Sequence, residues 1–580
     1  MKTTIVSLAM LLYFLLPVTS SCKKTGGGSP NPPVDTTDTT TVNPQVDPAI
    51  ASSIGFFLDD WLPKNFTQPS SSVTTTTPSS TTVTINIDRS NVVTKIPRAI
   101  AGNNSNIWMG QYVTEPSLLN HITKVQPHII RFPGGSISDI FFWNAQPGVP
   151  PVDAPTNLVN ASGASSAAGF WFGKNTADWT FSVDNYYSML QQTNNQGMIT
   201  VNYGYARYGK SANPVAAAAQ LAADWVRYDN GRTKYWEIGN ENFGDWEAGY
   251  RIKVSDNQDG QPEYLSGQLY GQHFKVFADS MRSAAASIGK TIYIGAVMSE
   301  SAPQSWWTAT ATNWNSGLMN GAGSYPDFYI VHNYYTPYQT NANAATILAT
   351  PQSVTQTMMD YVKQQITAGG AAQKPFILGE WNITSQGSKQ QVSHINGLHA
   401  TMILGEAIKN KYGMTARWDL ANGWSDGNDH GLFNIGDEPG GIPKWNPRPA
   451  FYHMYFFQKY CGDRLVSSTS SDANVVSYAT SFSSGETGVI LVNKSSDAKA
   501  TEVKVANFKK GTNYYWYTLT GGNDNGEFSA KTFVNSYGPS IASGGPSDYD
   551  TINPFAASTT NGIKISIPAR AAVFLVIQKL

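Results

Sequence analysis

The sequence carries almost no net charge. Of its 580 residues, 39 are basic and 40 are acidic, so the formal net charge is -1 at pH 7. Without an excess of one sign, the chain lacks the long-range field that would attract nucleic acid or an anionic membrane surface. We therefore expect no nucleic-acid partner, and a neutral ligand such as a carbohydrate fits this balance better.

Cysteine is nearly absent as well, with only Cys22 and Cys461. Cys22 follows an apolar stretch over residues 5–16 and a short run of small residues. This stretch is too short to span a bilayer but is typical of a secretory signal, and the residues before Cys22 resemble a bacterial lipoprotein cleavage site. We predict that residues 1–22 are a signal ending in a lipidated Cys22, which would leave Cys461 without an intrachain partner.

Lipidation would anchor the protein stably in the bacterial cell envelope, on the periplasmic side or at the outer-membrane surface. An ordinary signal peptide cleaved nearby is the alternative. Residues 23–82 lack apolar periodicity and are rich in proline, threonine and serine, which predicts a flexible linker. Within it, residues 50–62 are apolar enough to dock elsewhere, and their structure stays open.

The sequence also lacks a glycine-rich phosphate turn, since neither GxGxxG nor GxxxxGK[ST] occurs. This argues against a doubly wound nucleotide-binding sheet. Eight short apolar runs interleaved with helical patterns instead predict a parallel sheet covered by helices, and their number predicts a (β/α)₈ barrel over residues 97–450. The runs are residues 99–102, 128–132, 198–203, 234–238, 291–297, 327–331, 376–378 and 415–420.

Beyond the barrel, residues 451–580 contain strand-like segments separated by Gly, Ser, Asn and Asp turns. No strong helical pattern lies between them, which predicts a β-sandwich. Residues 83–96 alternate as a half-buried strand does, yet they precede the barrel and have no partner in it. We therefore assign residues 83–96 to the sandwich.

Two glutamates each end a short apolar run, Glu241 in YWEIGNENFG and Glu380 in PFILGEWN. A barrel places its chemistry at the carboxyl ends of its strands, and runs four and seven end across the mouth from each other. Two carboxyl groups about 5 to 5.5 Å apart allow retaining hydrolysis of a glycosidic bond. We predict Glu241 as the acid/base, because burial beside aromatic rings favours its protonated form, and Glu380 as the nucleophile. Either glutamate alone could be a structural cap.

Polar and aromatic residues at the other strand ends outline a cleft for a sugar. Asn240 could bind the sugar 2-hydroxyl, and Trp381 and Trp418 are predicted ring platforms, although such residues are also common in cores. His332 could instead be a buried structural histidine. The predicted substrate-binding residues are Asn104, Arg131, Tyr203, Asn240, His332, Tyr334, Trp381 and Trp418.

A small polar cluster, Asp426, Asp429 and His430, could bind a cation, but ordinary loop chemistry explains it equally well. We predict no metal and no cofactor. The sequence gives no indication of the oligomeric state.

These motifs resemble glycoside hydrolase clan A, the retaining (β/α)₈ glycosidases, in which an Asn-Glu pair follows the fourth strand and a glutamate follows the seventh. Three sequence motifs resemble those of the family 51 α-L-arabinofuranosidases most closely. They are RFPGGSISDIFFW from Arg131, KYWEIGNENFGDWE from Lys234 and DFYIVHNYY from Asp327. The resemblance implies release of α-L-arabinofuranose from plant-type polysaccharide.

The chain departs from that family in lacking the asparagine expected after the paired glycines of RFPGGSISD, and LGEWN is shared by several clan relatives. A β-xylosidase, an endo-glucanase or an endo-xylanase therefore stays open. A non-catalytic surface glycan-binding lipoprotein is the alternative from another class of function.

Overall fold

The computed structural model describes residues 42–522 and 526–580. The predicted signal, Cys22 and the first part of the predicted linker lie outside these residues. Among the helices of the described residues, none combines the length and apolarity that a membrane span requires.

A closed barrel of eight parallel strands forms the larger domain, in agreement with the predicted fold. Each predicted run contributes one strand, and the strands follow one another around the barrel in chain order. Their bounds are Gly102–Asn104, Ile129–Phe132, Gln196–Val201, Thr233–Ile238, Tyr293–Val297, Phe328–Tyr334, Phe376–Asn382 and Met414–Arg417.

Helices cover the outside of the barrel. Five of them begin after a Ser or Asn whose side chain accepts a backbone N–H of the first turn, the usual way of satisfying those donors. The main helices are Pro116–Val125, Val183–Thr193, Pro214–Asp229, Gly267–Ser287, Trp314–Ala322, Ala344–Ala368, His394–Lys409 and Pro449–Tyr460, with the short helices Tyr205–Tyr208 and Ala309–Thr312.

The second domain is an eleven-stranded mixed sheet that encloses its own apolar core. The predicted strand before the barrel, Val83–Lys95, lies inside this sheet between Arg464–Ser470 and Lys499–Ala506. The remaining strands are Val73–Thr74, Val475–Ser481, Thr487–Asn493, Lys510–Thr520, Phe533–Val534, Phe555–Ser558, Ile563–Ile567 and Ala571–Lys579.

Shorter elements decorate the connections. Two-strand pairs join Phe141–Phe142 to Trp171–Phe172, Asn157–Val159 to Ser165–Ala167, and Ala421–Asn422 to Phe433–Asn434. Single 3₁₀ turns occur at Gly55–Leu58, Arg98–Ala101, Ser136–Ile140, Val254–Asp256 and Thr559–Asn561.

Two barrel helices join the domains. Residues of His394–Lys409 are buried on all sides except at the last position, because one face contacts the barrel and the other contacts strands of the second domain. A helix that is apolar all round is stable only when it is covered all round. Pro449–Tyr460 is buried in the same way.

Within residues 42–82, the described part of the predicted linker, the apolar stretch left open above is docked: Ile54, Phe57 and Leu58 are buried beneath the barrel, and Val73–Thr74 pairs with Phe555–Ser558 of the second domain. The Phe56 ring stacks on Tyr293 with centroids 3.8 Å apart, and the Phe57 ring lies 4.8 Å from that of Tyr235. Tyr235 and Tyr293 lie near the starts of their strands, so these rings close the barrel end opposite the carboxyl ends of the strands. The apolar side chains of the barrel floor provide the surface on which this stretch is buried, and the sequence alone did not identify that surface.

We expect Phe57→Ala to lower the free energy of unfolding by about 3–5 kcal/mol, because Phe57 is 1% exposed and its removal leaves a cavity. Denaturation in urea measures this. Leu62→Ala in the same segment is the matched control, since Leu62 is 58% exposed and the change should stay within about 0.5 kcal/mol. Equal unfolding midpoints for the two variants would show that the segment does not stabilise the barrel.

Candidate active site

Three titratable side chains meet at the carboxyl ends of the barrel strands. Glu241 follows the fourth strand, His332 lies in the sixth and Glu380 in the seventh. One oxygen of each carboxylate and one ring nitrogen of His332 lie within 4.8 Å of one another. This spacing is that of a retaining pair and is too short for an inverting pair, which needs about 6.5–9.5 Å.

Glu380 is held by donors on two sides. The Tyr334 hydroxyl donates to its Oε1, and Arg131 Nη1 donates to its Oε2 at 3.4 Å. The side chain is 7% exposed, so only a small part of the carboxylate surface faces the cleft. Both donors favour its ionised form.

Arg131 lies directly beneath the cleft and has no exposed surface. Its guanidinium group donates hydrogen bonds to side chains in or just after several strands. Its Nε donates to Glu237 Oε2 at 2.6 Å, and its Nη atoms donate to Asn104 Oδ1 at 2.9 Å, Glu380 Oε2 at 3.4 Å and Asn240 Oδ1 at 2.8 Å. Arg131 and the equally buried Asn104 therefore orient other side chains instead of contacting a sugar, which corrects their predicted role.

Glu241 is presented by a strained turn. Its φ of 42° lies in the left-handed region, which a non-glycine residue adopts at a cost and which clusters at functional sites. Its Oε1 pairs with His332 Nδ1 at 2.9 Å, and its Oε2 accepts from Trp246 Nε1 at 3.2 Å. Gly239, at φ 74°, makes the turn possible, since a Cβ there would lie 2.0 Å from Asn242 Oδ1.

Asp139 ties this turn to its neighbour. Its oxygens accept from the backbone N–H groups of Tyr203, Gly204 and Asn240 at 3.1, 2.9 and 3.2 Å, and from Asn242 Nδ2 at 2.7 Å. Burial raises the pKa of Asp139 to about 7, although these donors oppose the shift. Asp139 was not predicted as a site residue, although it ends the motif RFPGGSISD.

The electrostatics place a proton between His332 and Glu241. Burial opposes both charges, but the nearby carboxylates raise the pKa of His332, and the His332 hydrogen bond lowers the pKa of Glu241. Burial raises the pKa of Glu380, and repulsion from Glu241 adds to this, against the charges of His332 and Arg131. These directions favour the protonated form of His332 beside the ionised form of Glu241.

Two predicted sugar contacts lie in the core instead of the cleft. Trp381 and Tyr203 are both fully buried in the main apolar cluster, and the Tyr203 hydroxyl pairs with His273 Nδ1 at 3.0 Å. The side chains point outward to the helices, which corrects their predicted role. Of the other predicted residues, His332, Tyr334 and Trp418 lie at the mouth, and Asn240 follows the fourth strand with 1% of its surface exposed.

Trp418 lies over the paired glycines of RFPGG. A Cβ on Gly135 would come within 2.8 Å of the Trp418 ring, so only glycine lets the indole approach so closely. Its ring centroid is 6.1 Å from that of Trp108. Trp418 is 7% exposed and can offer an edge of the ring, rather than a broad platform, to a sugar.

Three further mouth residues were not predicted as site residues. Trp246 is 60% exposed beside Glu241. Burial raises the pKa of Glu300 to about 7, with Glu241 contributing, so a third carboxyl lies near the acid/base candidate. Glu247 is buried behind Asn240 and accepts from its Nδ2 at 2.9 Å. The dense polar and aromatic composition after the fourth and fifth strands is the sequence feature that could have indicated these three residues.

The polar side chains of the predicted cluster, Asp426, Asp429 and His430, all contact other groups of the protein. Asp426 pairs with Lys389 at 2.5 Å and Asp429 with Arg448 at 2.6 Å, and His430 Nε2 lies 3.0 Å from the Thr384 carbonyl oxygen.

The side chains of Glu241, His332 and Glu380 lie close enough together that their spacing would suit a metal ion.

Comparisons with known proteins agree with this arrangement. The family model described as the α-L-arabinofuranosidase 1 domain matches residues 121–347, which include Arg131, Glu241 and His332 but not Glu380. No curated protein matches the chain in sequence.

Solved structures share the fold over 86% of this chain. An α-L-arabinofuranosidase from Thermotoga maritima superposes over its whole length with a TM-score of 0.58 and 16% identity. A family 51 arabinofuranosidase from Xanthomonas axonopodis pv. citri gives 0.57 and 15%, and a family 44 xyloglucanase from Paenibacillus polymyxa gives 0.56 and 12%, each also covered completely. At such identities the likeness establishes the fold alone. Taken with the sequence match and the paired carboxylates, it makes the chain a glycoside hydrolase that resembles the family 51 α-L-arabinofuranosidases of clan A.

Proposed function

We propose that the chain hydrolyses glycosidic bonds in plant-type polysaccharide or oligosaccharide by double displacement, with release of α-L-arabinofuranose as the favoured activity. The observation that carries the mechanism is the approach of Glu241 and Glu380 oxygens to within 4.8 Å across the mouth. The family-model match over residues 121–347 supports the sugar.

In the first step Glu380 attacks the anomeric carbon and the bond to the leaving oxygen breaks. Arg131 and Tyr334 hold the Glu380 carboxylate in place for this attack. Glu241 gives its proton to the leaving oxygen, and in the second step it takes a proton from the water that releases the sugar. Asn240 lies at the mouth to bind the 2-hydroxyl, a contact that strengthens in the transition state.

The proton that Glu241 donates is supplied by His332. A neutral His332 beside protonated Glu241 holds the same number of protons as His332⁺ beside ionised Glu241. The proton need only cross the 2.9 Å hydrogen bond between them. Displacement of water by a bound sugar disfavours the two separated charges and drives this transfer.

An endo-acting glucanase or xylanase is the second candidate. Trp246 donates to the acid/base carboxylate and is 60% exposed, so its ring could carry a further sugar on the leaving-group side. Ser136 stands where the family resemblance predicts asparagine, and it donates to Glu247 Oε1 at 2.7 Å. A changed contact at this position favours a specificity different from that of the family.

The deciding assay uses a soluble chain that begins at residue 42, on aryl α-L-arabinofuranoside, β-xyloside and β-glucoside and on a polysaccharide panel. Arabinose release supports the favoured activity, and shortening of a xylan or glucan chain supports the second candidate. If no substrate is cleaved and Glu241→Gln leaves glycan binding unchanged, the chain is a glycan-binding protein.

We expect Glu380→Ala to lower turnover on the order of 10⁴-fold or more, because the nucleophile is lost. External azide should restore turnover and give a glycosyl azide of inverted configuration, identified by NMR. Wild-type protein with azide is the control and should give only the retained sugar. A retained azide product from Glu380→Ala would instead mark Glu380 as the acid/base.

We expect His332→Gln to move the alkaline limb of kcat/KM to lower pH by on the order of one unit. Two bases that share one proton hold it to higher pH than either alone, and the nearby carboxylates raise the pKa of His332. His121→Gln is the control, since His121 lies on the Pro116–Val125 helix and pairs with Tyr549. An unmoved limb in His332→Gln would mean that His332 does not share the proton.

We further propose that Cys22 carries a lipid that anchors the protein to the bacterial envelope. Cys22→Ser should move the protein from the membrane fraction to the soluble fraction, measured by fractionation and detergent phase partitioning. Cys461→Ser is the matched control and should stay membrane-bound, because Cys461 is buried. Retention of Cys22→Ser in the membrane fraction would contradict the anchor.

A further inference from the structure

Glu247 is a buried carboxyl within the same motif as the acid/base candidate. It is 5% exposed and lies six residues after Glu241, behind the floor of the cleft. Its Oε1 accepts from Ser136 Oγ at 2.7 Å and from Asn240 Nδ2 at 2.9 Å. Its Oε2 is buried and has no hydrogen-bond partner within the described part of the chain.

The charged groups that face Glu247 are negative. Asp139, on the Ser136–Ile140 turn, and Glu241, on its own loop, both disfavour its ionisation, and burial does so more strongly. Arg131, the nearest cation by contact, is bound to Asn240 and to Glu237. No ion pair to Glu247 occurs among residues 42–522 and 526–580. An uncompensated charge there would be costly, and the carboxyl avoids it by keeping its proton.

Asn240 depends on Glu247 for its orientation. Its amide lies between two partners, with Oδ1 accepting from Arg131 Nη2 at 2.8 Å and Nδ2 donating to Glu247 Oε1. Because a guanidinium can only donate, the amide oxygen must face Arg131. The Nδ2 group must then face Glu247, which leaves its second hydrogen for a ligand.

We propose that Glu247 is a neutral carboxylic acid that acts as a positioning residue, fixing the Asn240 amide for the sugar 2-hydroxyl. This rests on the proposed glycosidase function. A neutral carboxyl accepts both hydrogen bonds through its carbonyl oxygen without adding a third negative charge beside Glu241 and Glu380. Ionised Glu247 would oppose the charge that Glu380 needs for attack.

The test compares Glu247→Gln with Glu247→Ala in the protein that begins at residue 42, on the best substrate found. Glutamine reproduces the neutral acid, with a carbonyl oxygen for Ser136 and Asn240. We expect Glu247→Gln to keep kcat within about threefold of wild type and Glu247→Ala to lose about 30- to 100-fold in kcat, with little change in KM, since the contact strengthens in the transition state. Circular dichroism and the melting temperature show that each variant is folded.

A double-mutant cycle separates positioning from mere packing. If Glu247 acts through Asn240, Glu247→Ala should cost less than about threefold further in the Asn240→Ala background. Glu406→Gln is the matched control for loss of a buried carboxyl. Burial also raises the pKa of Glu406, but this residue lies on the His394–Lys409 helix beside Tyr478, so kcat should not change.

Infrared difference spectra of wild type against Glu247→Gln at pH 7 provide a readout that needs no activity. They should contain the carbonyl band of a protonated carboxyl that the variant lacks, and absence of this band would overturn the proposal. So would a Glu247→Gln variant as slow as Glu247→Ala, or a folded Glu247→Ala variant with wild-type kcat. If no sugar is cleaved but the band is present, the proposed function has failed while the neutral acid stands.

Discussion

The site depends on one buried cation. The Arg131 guanidinium has no exposed surface, and it donates to four side chains in or just after the first, fourth and seventh strands, namely Asn104, Glu237, Asn240 and Glu380. Removing one partner from such a buried pair costs about 3–5 kcal/mol, because the other charge stays in the interior unpaired. Arg131 therefore couples the closure of the barrel to the placement of Glu380 and Asn240: strands that moved apart would leave Glu237 as an uncompensated charge.

The same cation limits how much negative charge the mouth can hold. Glu237 and Glu380 both contact Arg131, so further carboxylates must be neutralised in other ways. Glu241 shares a proton with His332, and Glu247 keeps its own. The lowered pKa of Glu241 and the raised pKa of Glu380 thus describe one arrangement of the proton that Glu241 and His332 share. They do not reverse the roles, because the acid form of Glu241 is reached by transfer within the site.

The strand ends were predictable from the sequence, whereas the predicted sugar contacts Trp381 and Tyr203 proved to face the helices. Successive residues of a strand point to opposite faces. Once Glu380 faces the barrel mouth, Trp381 must face the helices, and the structure buries it there. The apolar stretch around Phe56 indicated docking, but its partner Tyr293 could not be predicted, because the two residues are 237 positions apart in sequence. Likewise, Glu237 is a single polar residue inside an apolar strand, and nothing in the sequence identifies Arg131 as its partner.

The second domain supports the catalytic mouth through a chain of contacts. Its strands pack on the His394–Lys409 helix, and the Arg570 carbonyl oxygen lies 3.0 Å from His394 Nε2. From that helix Asn396 Nδ2 donates to Asn382 Oδ1 at 3.1 Å, and Asn382 Nδ2 donates to the Trp418 carbonyl oxygen at 2.6 Å. Asn382 follows Glu380 by two residues in the same strand, so a contact that holds Asn382 also restrains the end of the strand that carries Glu380. A misplacement of about 1 Å can lower a rate on the order of 100-fold. A helix held from both sides therefore matters for catalysis, because it keeps the seventh and eighth strands in register at the point where Glu380 must attack.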